Sequence, residues 1–89
     1  MSQLTAASVS AYVEQHKDRF IGELCDWLKI PSVSADKKFK ADVIRAAEFA
    51  KEQFLKAGAD KAELCETGGN PVVYAEKFVD ASKPTILVY

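Results

Sequence analysis

With 89 residues the chain has room for one small domain, because an independent core usually takes about 100–150 residues. A hydrophobic content of 48% is ordinary for a globular protein and does not suit a disordered one. Twelve basic and thirteen acidic residues leave a net charge of −1, which excludes a global field drawing in nucleic acid or a membrane surface.

The first twelve residues are small and polar and lack the layout of a secretory signal, and no apolar run approaches the roughly 20 residues of a membrane span. A cytoplasmic location is the expectation. The amphipathic pattern begins near Ser8. Val9, Val13, Phe20, Leu24 and Leu28 recur at steps of four or seven, and Tyr12, Ile21 and Trp27 widen the stripe. This predicts a helix from about Ser8 to Lys29, stopped by Pro31, which pushes the residue before it away from helical angles. The stretch Ile30 to Asp36 reads as a loop, with Ser34 and Asp36 able to cap the next helix.

That second helix is predicted from about Lys38 to Ala57. Its core stripe is Phe39, Val43, Ala46, Ala47, Ala50 and Phe54, and Gly58 is placed to close it. The segment from Lys37 to Lys56 holds six positive and three negative charges, interleaved as on a solvated helix face. Beyond Gly58 the period changes. Ala62 to Thr67 reads as a strand, Gly68-Gly69-Asn70-Pro71 as a turn, and Val72 to Phe78 as a second strand, most simply a hairpin. A turn at Asp80 to Pro84 leads to Thr85 to Tyr89, apolar or β-branched almost throughout. Such a run suits a strand buried on both faces of a sheet. The expected fold class is therefore α/β, with two helices followed by three strands.

Residues that could carry chemistry are few. Cys25 and Cys65 stand forty residues apart without metal-ligand spacing, and are expected as buried free thiols. His16 is the sole histidine. With Asp18 it spells H-x-D, but residues two apart on a helix point about 200° away from each other and cannot grip one ion. His16 is expected as a partly buried packing residue near Val13 and Phe20. Ser32 and Ser34 lack the setting of a nucleophile, and Gly68-Gly69 precedes a strand where a phosphate loop would precede a helix. The aromatics Phe20, Trp27, Phe39, Phe49 and Phe54 read as core and offer no base-stacking platform.

The order of segments carries a resemblance. Leu28-Lys29-Ile30-Pro31-Ser32-Val33-Ser34-Ala35-Asp36 closes the first helix, and Phe54-Leu55-Lys56-Ala57-Gly58-Ala59 closes the second. Glu66-Thr67-Gly68-Gly69-Asn70-Pro71-Val72-Val73-Tyr74-Ala75-Glu76 and Lys83-Pro84-Thr85-Ile86-Leu87-Val88-Tyr89 come after them. From about Tyr12 to Tyr89 the chain resembles the start of the zinc metallopeptidase family of carnosine dipeptidase, aminoacylase, carboxypeptidase G and succinyl-diaminopimelate desuccinylase. The Gly-Gly-Asn-Pro turn and the Pro-Thr-Ile-Leu-Val-Tyr run are most similar to the dipeptidase branch.

The resemblance implies a longer parent, with a mixed-sheet catalytic domain holding two zinc ions and hydrolysing an amide bond in dipeptides or N-acylated amino acids. There, zinc polarises the scissile carbonyl and activates a water whose proton a glutamate accepts. It also implies that the strand matching Thr85 to Tyr89 is followed by Gly-His-x-Asp, which supplies the first metal ligands. No catalytic, cofactor-binding or metal residue of this chain matches a family ligand. Residues 1–89 are then expected to be an N-terminal scaffold segment cut before the metal-ligand motif, and inactive alone. The remainder of the parent chain would be its partner. The alternative is a non-enzymatic α/β interaction module that self-associates through the open edge of Thr85 to Tyr89. Neither reading requires nucleic acid or a membrane.

Overall fold

The computed structural model describes residues 4–89. They fall into two compact units, one ending at Ile30 and the other spanning Pro31–Tyr89. The fold class is α/β, with two helices followed by an antiparallel pair of strands.

The first unit is helix α1, Ala6–Leu28. It begins two residues earlier than the apolar period indicates, because a capping box satisfies its first turn. The Thr5 hydroxyl accepts from the Ser8 amide at 3.1 Å, and Ser8 Oγ accepts from the Thr5 amide at 2.9 Å. Exposed ion pairs, Lys17–Glu14 at 3.5 Å and Arg19–Glu23 at 3.1 Å, add about 0.3–0.5 kcal/mol each at most. None of the residues of α1 is buried. Cys25, expected as a buried thiol, is accordingly free but exposed.

In the second unit the Asp36 carboxylate accepts from the Lys38 amide at 3.1 Å and opens a 3-10 turn, Lys37–Phe39. Helix α2, Lys40–Lys56, continues from it. The predicted single helix is thus a 3-10 turn running into an α-helix. At its far end Ala59 N–H bonds to Phe54 O at 3.0 Å and Gly58 N–H to Leu55 O at 3.1 Å. This paired closure requires the residue between to take positive φ, and Gly58 has φ 106°. Open space surrounds a Cβ there, so the cost of Gly58→Ala is purely conformational. We expect a loss of about 1–2 kcal/mol, read as a lower denaturant midpoint with an unchanged slope.

The strands are β1, Lys61–Cys65, and β2, Val72–Glu76. Their register pairs Ala62 with Ala75 and Leu64 with Val73. These four are the half-buried residues of one face, and α2 packs against both strands. Ala46, on α2, is 8% exposed and, among the described residues, is the buried residue of the core; Val43, Ala47 and Ala50 are half-buried around it. Phe54, expected in this stripe, is instead 47% exposed, and Cys65 is free and half-buried, not fully buried.

The expected third strand is absent among the described residues: the sheet has two strands, and residues 85–89 carry no regular structure. A strand exists through its ladder, and β-branched composition alone does not supply one. Residues 86–88 are 83–85% exposed, so an apolar run suited to burial on both faces has neither face covered.

Candidate functional site

Each residue weighed for chemistry has a structural position. His16 is half-buried on α1, with its ring centroid 4.4 Å from that of Tyr12 and 6.1 Å from that of Phe20. Those contacts agree with a packing role. Ser32 and Ser34 lie exposed in the loop before α2. In the Gly68-Gly69 turn, Thr67 Oγ1 accepts from the Gly69 amide at 3.2 Å and donates to Asn70 O at 2.6 Å. The hydroxyl closes the turn on itself, and Gly68 supplies the positive φ of 81°. Among the described residues, no three His, Cys, Asp or Glu side chains gather closely enough to hold a metal ion. A zinc site does not fit the donors among the described residues. Among the same residues no helix is long and apolar enough to cross a membrane.

The second unit does possess an ordered exit from its hairpin. Asp60, just before β1, donates its amide to Glu76 O at 2.9 Å and so extends the ladder by one bond. Its carboxylate then reaches across the pair. Oδ2 accepts from the Phe78 amide at 2.8 Å, and Oδ1 accepts from Lys77 Nζ at 3.1 Å. The Phe78 amide bonds to a side chain and not to a neighbouring strand, which accounts for β2 ending at Glu76 where the sequence predicts Phe78. A second carboxylate continues the exit. Asp80 Oδ1 accepts from the Ser82 amide and from its hydroxyl, both at 2.9 Å, and Lys83 N–H bonds to Asp80 O at 3.0 Å. No local sequence signal reveals the Asp60 contact, because its partners lie 17 and 18 residues away.

The electrostatics mirror these bonds. The Phe78 amide, then Lys77, hold the Asp60 carboxyl below its ordinary pKa of 3.8, and the Ser82 amide and hydroxyl do the same for Asp80. On the outer face of β2 the Tyr74 hydroxyl donates to Glu76 Oε2 at 2.7 Å, which raises its pKa above 10.0. A depressed carboxyl pKa contributes stability above the unfolded value, and that contribution is lost as pH falls through the folded value. A carbon-detected NMR titration should therefore place the midpoints of Asp60 and Asp80 below 3.8. Their bonds to Phe78 and Ser82 should hold at neutral pH and open only in acid.

The exit leads to an open groove of about 780 Å³. One wall is Phe54 and Ala57 at the end of α2, another is β2 from Val73, and the last is residues 86–89. The apolar run expected to be a strand thus lies across this groove from β2.

Against known proteins, the chain is 33% identical over 87 residues to a Cys-Gly metallodipeptidase of Schizosaccharomyces pombe. That similarity takes in 86% of this chain and 18% of the relative, so the chain spans under a fifth of the length of the protein it matches. No family model and no solved structure matches the chain.

Proposed function

We propose that residues 1–89 form a scaffold segment of a metal-dependent dipeptidase, and that the segment is inactive alone. The observation that carries this reading is the similarity to the Cys-Gly metallodipeptidase across 86% of the chain. The order of motifs favours the dipeptidase branch of the zinc peptidases. On this reading the parent is a cytoplasmic enzyme with two zinc ions, and its metal ligands come from outside residues 1–89. The contribution of this chain is mechanical: α2 supports the hairpin, the hairpin supports the groove, and residues 85–89 add a strand whose end aims the first ligands. Ligands collect at the carboxyl ends of strands in open α/β sheets, which gives that strand its importance.

The test compares two proteins with zinc and the dipeptide Cys-Gly: the 89-residue chain and the longest product of its gene. We expect hydrolysis by the longer product alone. Hydrolysis by the 89-residue chain, or by neither protein, would overturn the corresponding half of the proposal.

A second reading is favoured by one feature, the exposure of residues 86–89, which is 85% at Leu87 and Val88 and complete at Tyr89. An apolar run beside an unpaired strand edge is a template for pairing with a second copy of the chain. Sedimentation of the 89-residue chain should then show concentration-dependent association. A monomer at high concentration contradicts this reading.

A further inference from the structure

We infer that Asp60 is a positioning residue, whose carboxylate fixes the direction in which the chain leaves the hairpin toward residues 85–89. This deepens the hydrolase reading and, for its effect on activity, rests on it.

A hairpin end is ordinarily where backbone order fades, because the ladder supplies no further bonds. Here three bonds tie one residue to the outgoing strand: the Asp60 amide to Glu76 O, and the two carboxylate oxygens to the Phe78 amide and Lys77 Nζ. All three converge where β2 ends and the connection to Thr85 begins. The bond to Phe78 is the directional one. It is short, at 2.8 Å, its acceptor is ionised, and it holds a backbone amide, so it fixes the course of the main chain. The bond to Lys77 involves a flexible side chain that is 62% exposed and adds little. Asp80 carries the order one step further by folding Ser82 and Lys83 back upon itself. From Lys77 to Pro84 the connection is thus shaped by two carboxylates, and apolar packing contributes little, since Phe78 and Val79 are 69% and 67% exposed.

The distinction between positioning and mere stabilisation is testable, because asparagine keeps one carbonyl oxygen for the Phe78 amide while alanine keeps none. In the longest product of the gene, Asp60→Ala should raise amide exchange at Phe78 about tenfold. Amides within Lys61–Cys65 and Val72–Glu76 should be unchanged, and Asp60→Asn should restore most of the protection. In Cys-Gly hydrolysis with zinc, Asp60→Ala should lower kcat about tenfold or more with little change in KM, and Asp60→Asn should recover most of it. Exchange that accelerates equally across the whole hairpin, or asparagine no better than alanine, would overturn the positioning role. If the unsubstituted protein hydrolyses nothing, the hydrolase reading falls by itself. The exchange pattern then still decides whether Asp60 holds the exit.

Discussion

Ile86→Asp combined with Val88→Asp should abolish activity in the longest product of the gene while leaving the melting of the 89-residue chain unchanged. In the 89-residue chain these side chains are 83% and 85% exposed, so charge costs nothing in burial. In the proposed parent, residues 85–89 enter a sheet covered on both faces. Each apolar side chain buried there contributes about 1.5–3 kcal/mol, and an unpaired carboxylate in its place adds a desolvation cost of several kcal/mol more. Two such sites together approach the whole stability of a domain, about 5–15 kcal/mol. The check is a Cys-Gly assay beside two thermal melts. A fully active longer variant would mean that residues 85–89 stay outside any core. In the 89-residue chain the same pair of substitutions should also remove any association through this edge.

Ala46→Asp should unfold the second unit. Ala46 sits where α2 meets the hairpin and is 8% exposed, with the small residues Ala62 and Ala75 paired on the facing strands. Placing a carboxylate there costs about 3 kcal/mol or more, through overpacking and through a buried charge. Ala41 lies on the same helix but is exposed, so Ala41→Asp should cost less than about 0.5 kcal/mol. Circular dichroism melts of the two variants separate burial from helix propensity. Equal melting of both would contradict the assignment of Ala46 to the core.

The elements are legible in the sequence where the local rule and the tertiary arrangement agree. The helices emerge from apolar period, and the end of α2 from Gly58, because only a residue tolerant of positive φ completes that closure. The hairpin emerges from the change of period and the Gly68-Gly69 turn. The start of α1 lies two residues before the apolar period indicates, since the Thr5–Ser8 box precedes the stripe. The strand expected at residues 85–89 fails for a different reason. Its composition suits burial on both faces, and the described residues do not provide that environment. Phe54 belongs to the same class: its helical spacing holds, but it lines an open groove.

For the site, helix geometry keeps His16 and Asp18 from gripping one ion, and the ring contacts of His16 with Tyr12 and Phe20 agree with its expected packing role. The role of Asp60 is invisible in sequence, because a carboxylate that bonds 17 and 18 residues away leaves no periodic trace.

The central claim, that this chain is the scaffold of a metal-dependent dipeptidase, is tested most directly by reading the transcript across the codon for Tyr89. We expect Gly-His-x-Asp within a few residues, the first metal ligands at the end of the strand that residues 85–89 would form. A stop codon at that point, or a continuation without those ligands, would contradict it and leave pairing through the open strand edge as the function of the chain.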